Sequence, residues 1–292
     1  MIDTFGRTIT YLRLSVTSLC NLRCRYCMEE AGVTKLRHDQ MLSEEEMISA
    51  VRVCAGLGVN KVRITGGEPL VKKNILSLCE GISQISGVSE LSLTSNGVLL
   101  DRYAKDLVAS GVKRINISLD TLDPEKYRYM TRIGELADVL RGLEAALRAG
   151  FSHVKINCVL IGGFNEDEIV PLARLTERYP VDVRFIEWMP MTDLTDCAEF
   201  SYISAETVIR KLDKLIGEQK QEGVAQLFSL KNGMGHIGLI RPISRSFCAD
   251  CNRIRLTSDG RIKPCLHDAR EYGIKRLSEE EMRSVFKEAI LN

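Results

Sequence analysis

The sequence lacks an excess of either charge: 40 Lys and Arg stand against 39 Asp and Glu, for a net charge of +1. A chain so balanced has no bulk field of the kind that draws proteins to nucleic acid or anionic membranes, so any anion site has to be local. Also missing is a run of about 18 uncharged apolar residues, the length a membrane-spanning helix requires. Asp3, Arg7 and Arg13 fall where a secretory leader needs its apolar stretch. The expectation is a cytoplasmic protein with no membrane and no nucleic-acid partner. Low-complexity tracts and internal repeats are absent too, and the single linker-like stretch, Gly217 to Gly223, is short and polar.

What is present is enough apolar material, 45% of 292 residues, to bury a large core. Short β-branched runs at Tyr11–Val16, Lys61–Thr65, Glu90–Thr94, Arg114–Ser118, Val154–Leu160 and Val181–Glu187 read as six strands. Amphipathic stretches alternate with them. The first opens at Ser43 with Glu46 three residues on, a capping-box signature. Others cover Lys73–Ile85, Leu100–Ser110, Glu135–Ala149 and Glu166–Tyr179. This alternation predicts an α/β fold of parallel strands with functional loops at their C-terminal ends.

Within the strands, Arg13 and Ser15 alternate with Leu14 and Val16, Arg63 and Thr65 with Val62 and Ile64, and Lys155 and Asn157 with Val154 and Ile156. Successive strand side chains point to opposite faces, so helices cover one parity and the other lines a cationic interior. The expected architecture is an incomplete, six-stranded TIM-type barrel over residues 1–200. The competing reading of these cations is snorkelling or edge-strand charge. Past residue 200 the pattern changes to a helix over Ser204–Ile216 and hairpins around Ala225–Leu230, His236–Ile240 and Ile254–Pro264. A C-terminal module over 201–292, closing the barrel's open side, is expected.

Of ten cysteines, Cys20, Cys24 and Cys27 form C-x3-C-x2-C directly after the first strand. Structural zinc takes four protein ligands, whereas three thiolates on a [4Fe-4S] cluster leave one iron open. Cys248, Cys251 and Cys265 form a second trio, C-x2-C-x13-C, around a hairpin turning at Asp259-Gly260. Zinc is the competing reading there, with His267 or the distant Cys197 as fourth ligand. Cys54, Cys79, Cys158 and Cys197 have no metal spacing and read as packing residues. At the end of the second strand, Gly66-Gly67-Glu68-Pro69 offers glycines for close backbone approach and a proline that stiffens the turn. Thr94-Ser-Asn-Gly97 and Asn116-Ile-Ser118-Leu-Asp120 end the next two strands with small polar groups.

The first cysteine trio followed by Gly66–Pro69 resembles the radical S-adenosylmethionine superfamily. That resemblance implies that Cys20, Cys24 and Cys27 hold a [4Fe-4S] cluster whose open iron chelates S-adenosylmethionine. Tyr26 would lie against the adenine and Gly66, Gly67, Glu68 and Pro69 would bind the methionyl amine. Nearly the whole chain, through Arg63-Ile-Thr-Gly-Gly-Glu-Pro-Leu70, Ile115-Asn-Ile-Ser-Leu-Asp-Thr-Leu122, Arg184-Phe-Ile-Glu-Trp-Met189 and Cys251-Asn-Arg-Ile-Arg-Leu-Thr-Ser-Asp-Gly260, is similar to the GTP 3',8-cyclase family of molybdenum-cofactor biosynthesis.

Carried over residue by residue, that resemblance implies GTP contacts from Arg13, Lys61, Arg63, Thr94, Lys155, Arg184, Arg253 and Arg255. It adds Ser118 and Met189 to the S-adenosylmethionine contacts, and makes Cys248, Cys251 and Cys265 the ligands of a second [4Fe-4S] cluster. The implied reaction joins ribose C3' to guanine C8 by radical chemistry, with no side chain as an ordinary acid or base. The product would pass to cyclic pyranopterin monophosphate synthase, a flavodoxin- or ferredoxin-like reductant would supply electrons, and the protein would pair as a homodimer. The family usually closes with a longer tail ending in two glycines. Here the last residues are Ala289-Ile-Leu-Asn292, and truncation, lineage variation and altered cyclisation all stay open. Two other classes compete: a radical enzyme maturing a peptide or protein, and a non-catalytic iron-sulfur or zinc protein.

Overall fold

The computed structural model describes residues 1–189, 199–213 and 215–291. Six parallel strands run in chain order: β1 (Tyr11–Ser15), β2 (Lys61–Thr65), β3 (Glu90–Ser95), β4 (Arg114–Ser118), β5 (His153–Leu160) and β6 (Asp182–Glu187). They agree with the expected strands to within a residue at either end. Between them lie α1 (Glu44–Gly56), α2 (Ile75–Ser83), α3 (Leu100–Ala109), α4 (Pro124–Thr131) and α5 (Leu136–Ala149), then two short helices, α6 (Ile169–Ala173) and α7 (Leu175–Arg178). Each crossover returns the chain to the next parallel strand.

The expected capping box forms as written: Ser43 Oγ accepts from Glu46 N at 3.2 Å and Glu46 Oε2 accepts from Ser43 N at 2.8 Å. The single helix expected over Glu166–Tyr179 is instead broken. Pro171 brings no N–H to an earlier turn, and the segment opens as a tight turn over Glu166–Glu168. Thr176 Oγ1 then donates to Ala173 O at 2.9 Å, taking up a carbonyl of the ladder where α6 gives way to α7. Helix α4 was not expected, although Asp123 caps Glu125 N and Lys126 N and Pro124 occupies the first turn.

The second half holds α8 (Glu206–Leu212), β7 (Ile216–Glu222), β8 (Ala225–Leu230), β9 (His236–Ile240), β10 (Arg253–Leu256), β11 (Arg261–Lys263), β12 (Tyr272–Gly273) and α9 (Glu279–Leu291). Two expectations need correction. The helix over Ser204–Ile216 stops at Leu212, and the linker-like Gly217–Gly223 is strand β7, paired antiparallel with β8. Its polar residues suit an edge strand, where cross-strand pairing overrides weak intrinsic preference.

The later strands also extend the first sheet. β10 pairs parallel with β1, and β9 parallel with β6, giving the order β12-β11-β10-β1-β2-β3-β4-β5-β6-β9-β8-β7. The sheet is not closed. Helices cover its apolar parity, including Leu12, Leu14, Val62, Ile64, Ile115, Ile156, Val183 and Phe185, in one continuous core. Along β1 and β2 every second residue is buried, and Arg13, Ser15, Arg63 and Thr65 lie on the other, partly open face.

Candidate active site

The first cysteine loop leaves β1 through Thr17, whose hydroxyl accepts from Leu19 N at 3.1 Å. Cys27 N and Met28 N both donate to Cys24 O, at 2.9 and 3.1 Å, which folds the loop back on itself. Its outer side is pinned to the end of α4. Arg23 N and Arg25 N donate to Thr131 O and Met130 O, and Arg132, at a positive φ of 63°, donates through Nη1 to Arg23 O and Met28 O. A helix the sequence reading missed thus sets the position of the thiols.

The Gly-Gly turn closes the inner side of that loop. Gly67 N donates to Thr17 O and Glu68 N to Leu19 O, each at 2.8 Å. A Cβ on Gly66 would lie 2.6 Å from Thr17 O, and one on Gly67 would overlap the carbonyl of Leu19. The glycines are therefore required first by the protein's own cysteine loop, whose backbone crosses them. Glu68 turns inward: its carboxylate accepts from Leu70 N, Ser95 Oγ and Asn96 N. Burial pushes that carboxyl up to about 7 against the pull of those donors. Pro69, buried, opens the next short turn.

Burial raises the pKa of all three thiols of this trio, and each of Cys24 and Cys27 is raised further by Asp120 and by neighbouring thiols. Three thiols that burial and mutual charge keep from ionising suit a cationic iron-sulfur cluster, which would favour their thiolate forms. Leu22 N at 3.3 Å and Asn96 Nδ2 at 3.8 Å already donate toward Cys20 Sγ. Among the described residues, no three His, Cys, Asp or Glu side chains are converged for a single metal ion. A cluster attaches each cysteine to a different iron and needs no such convergence. Tyr26 lies between Cys24 and Cys27 and donates to Asp120 Oδ2 at 2.8 Å.

In the second trio, Cys248 and Cys251 share a tight turn, Cys251 N donating to Cys248 O at 3.3 Å. Cys248 and Cys265 are exposed and Cys251 is half-buried. Arg7 Nη1 holds the Cys248 carbonyl at 2.9 Å while its own Nε is fixed by Asp3 at 2.6 Å. Cys251 and Cys265 both act electrostatically on Arg255. His267 is exposed, and Cys197 lies outside the described residues. Cys54, Cys79 and Cys158 are buried in the core.

Between the two trios the register sets three guanidiniums side by side, because Arg13 pairs with Arg255 on one side and Arg63 on the other. None of these, nor Arg253, forms an ion pair with a carboxylate among the described residues. Arg63 Nη1 reaches Thr94 Oγ1 at 3.5 Å, and Arg253 lies 5.7 Å over the Phe247 ring. Burial first, then Arg255, Arg63 and Arg253, push Arg13 down to about 9. Two unit charges about 5 Å apart repel by on the order of 3 kcal/mol at an effective dielectric of 20, so the row favours an anionic guest.

Lys155 and Arg184 continue the cationic face on β5 and β6, where both contact Glu222 at 3.1 Å. Ser118 pairs in register with Asn157, and Asn157 with Arg184. Met189 is half-buried next to Trp188, whose ring packs edge-on against Phe200. Lys61 shares the parity of Arg63 but is exposed at the first position of β2.

Sequence reasoning missed Tyr11 and Glu222. Tyr11 donates no recognisable motif, yet its hydroxyl accepts from Arg63 Nε. Asn116 Oδ1, Asn157 Oδ1 and Arg184 Nε are buried on this face with no protein partner among the described residues. The sequence reading had singled out all three, Asn157 by strand alternation, Asn116 at a polar strand end and Arg184 by resemblance. Nothing local pointed to Glu222.

A family model described as the Radical SAM superfamily matches residues 14–176, and one described as Molybdenum Cofactor Synthesis C matches 181–292. The GTP 3',8-cyclase of Alkaliphilus oremlandii is 46% identical across 100% of the chain and 92% of its own length. That of Moorella thermoacetica is 43% identical across 99% and 93%. Among solved structures, Streptococcus suis SuiB bound to its precursor peptide SuiA superposes with a TM-score of 0.68 over 89% of the chain and 60% of SuiB, at 16% identity. That likeness shows the fold. With the family models spanning both halves and relatives this similar over the full length, the chain belongs to the radical S-adenosylmethionine superfamily and, within it, to the GTP 3',8-cyclases.

Proposed function

We propose that this chain cyclises GTP to (8S)-3',8-cyclo-7,8-dihydroguanosine 5'-triphosphate, the first step of molybdopterin biosynthesis, and that the residues assembled above carry it. The observation that supports this most directly is the row Arg255, Arg13 and Arg63, without a carboxylate partner among the described residues and set between two cysteine trios on one face of the sheet. A triphosphate carries about four negative charges, and guanidiniums on rigid strands neutralise them through charge-assisted hydrogen bonds.

In this reading Arg13, Arg63, Arg253, Arg255, Lys155 and Arg184 hold the nucleotide, Lys61 and Thr94 border it, and Asn116 and Asn157 offer acceptors to its hydroxyl or amino groups. Cys20, Cys24 and Cys27 would hold one [4Fe-4S] cluster and Cys248, Cys251 and Cys265 the other. S-adenosylmethionine, bound at a cluster held by the first trio, would supply the radical chemistry. Tyr26, whose hydroxyl donates to Asp120, would contact that cofactor together with Ser118 and Met189, and the Gly66–Pro69 turn would receive its amine. Met130, Ile161, Phe164 and Phe200, with Trp188 and Tyr26 against them, form an apolar cluster that would exclude water from the reaction. Positioning supplies the rate, since no proton transfer by a side chain is required.

The remaining parts of the reading are cytoplasmic placement, a flavodoxin- or ferredoxin-like electron donor, transfer of product to cyclic pyranopterin monophosphate synthase, a homodimer, and a functional division near residue 200. Among the described residues no helix is long and apolar enough to cross a membrane. The test is anaerobic: reconstituted protein with GTP, S-adenosylmethionine and a reductant should form 5'-deoxyadenosine and cyclised GTP in equal amounts. Cofactor cleavage unaffected by GTP, with no cyclised product, would reject the assignment.

A further inference from the structure

Glu222 is the last residue of β7, at the tip of the β7–β8 hairpin and next to Gly223, whose φ is +56°. Its Oε1 lies 3.1 Å from both Lys155 Nζ and Arg184 Nη2. The two cations belong to central strands and their side chains are only 6% and 14% exposed, whereas the Glu222 side chain is 50% exposed on an edge strand. Among the described residues Lys155 has one other anionic neighbour, Asp182 at 3.5 Å, and that carboxylate is already engaged by His153 Nε2 at 2.7 Å and by His236 N at 3.0 Å. Arg184 Nε, buried, has no hydrogen-bond partner among the described residues. The cations are buried on central strands, while the anion on them is peripheral and next to a glycine.

We propose that Glu222 is an internal counter-ion that holds the β7–β8 hairpin over the nucleotide end of the lumen and is displaced when the polyphosphate of the substrate takes Lys155 and Arg184. This rests on the reading that those two cations bind the anionic part of GTP. One carboxylate oxygen bridging two cations satisfies them while the lumen is empty and keeps the hairpin tip seated. A triphosphate offers several oxygens and more charge to the same two groups, so the two anions compete and the carboxylate, half-exposed on an edge strand, gives way. Binding is then coupled to release of the hairpin, and affinity is reduced by the fraction of protein in which Glu222 is seated.

The experiment is calorimetric titration of GTP into cluster-loaded protein without S-adenosylmethionine, comparing wild type with Glu222→Gln and with Glu279→Gln, which removes the same charge from an exposed pair with Arg52 on the outer helices. Glu222→Gln is expected to bind GTP about fivefold or more tightly, with Glu279→Gln within about twofold of wild type. In nucleotide-free Glu222→Gln, the backbone amides of residues 221–226 should exchange hydrogen faster than in wild type. If wild type binds GTP and Glu222→Gln binds it equally or more weakly, the counter-ion role is overturned and Glu222 is a substrate contact or a bystander. Unchanged exchange at 221–226 overturns the seating of the hairpin. Failure of wild type itself to bind GTP overturns the nucleotide assignment of Lys155 and Arg184, and this proposal with it.

Discussion

Arg13 stands between Arg63 and Arg255 with no carboxylate partner among the described residues, and burial together with the neighbouring guanidiniums lowers its pKa. Removing one member has two opposite effects: the empty protein loses repulsion and the nucleotide loses a partner. Arg253→Ala, at the rim of this group, is expected to weaken GTP binding at least tenfold, about 1.4 kcal/mol, while leaving uncoupled cleavage of S-adenosylmethionine largely intact. Equal GTP affinity in a titration would remove Arg253 from the nucleotide site. Arg7 acts differently, since its guanidinium holds the Cys248 carbonyl from the far end of the chain. Arg7→Ala should loosen the second cysteine turn and lower the iron content of reconstituted protein, ideally about eight irons for two clusters, toward about four. A variant retaining the full complement would show that the contact is incidental.

Residue identity was readable from sequence wherever the chemistry is local. The two cysteine trios, the Gly66-Gly67 turn and the alternation that exposed Arg13, Arg63 and Lys155 all rest on spacings of a few residues. The partners of Glu68 and Glu222 were not readable in that way. The first spends its carboxylate on Ser95 and Asn96, and the second meets cations on strands some forty to seventy positions away. Such partners are neighbours only once the sheet has formed.

At the scale of elements, β6 ends in a carboxylate that ties the two halves together. Glu187 is 1% exposed and accepts from Ala205 N at 3.0 Å, Ile243 N at 3.1 Å, Ser244 N at 2.8 Å and the Tyr202 hydroxyl at 3.1 Å. These donors hold it below the usual Glu range even though burial pushes the other way. Glu187→Ala leaves several donors without an acceptor, and each buried orphan costs roughly 1–3 kcal/mol. Loss of at least about 2 kcal/mol in urea unfolding, with faster amide exchange over 241–246, is the expected result. A change under about 0.5 kcal/mol would mean that water replaces the carboxylate without cost. The Ser43–Glu46 capping box, by contrast, was legible because both its bonds lie within one turn. The break between α6 and α7 and the strand formed by Gly217–Gly223 were not, because a side chain and a partner strand decide them.

For the whole molecule, Asp182 illustrates how the sheet stores acid sensitivity. Its side chain is 2% exposed, and His153, Lys155 and the His236 amide lower its pKa far below the ordinary 3.8 despite the burial that opposes them. A carboxylate with a depressed folded pKa stabilises the fold fully above its unfolded value, and that stability is lost as pH falls below about 4 through the folded value. Asp182→Asn should therefore lower stability at pH 7 by about 3 kcal/mol, since Lys155 is left buried with only Glu222. It should also flatten the decline of stability below pH 4. Parallel acid limbs in chemical denaturation of wild type and variant would assign that decline to other carboxylates.

The sequence by itself determined the six parallel strands, the faces they present, two three-thiol sites and the family. Each depends on periodicity or spacing over short stretches, and the backbone converts such patterns directly into faces and loops. Only the tertiary structure decided that strands from the second half join the sheet in parallel at both edges, β10 beside β1 and β9 beside β6, and thereby place Arg255 next to Arg13. Strand pairing is a choice among distant partners, settled by which arrangement buries the common apolar face and completes the backbone hydrogen bonds. No local pattern in β9 or β10 specifies which edge it will complete.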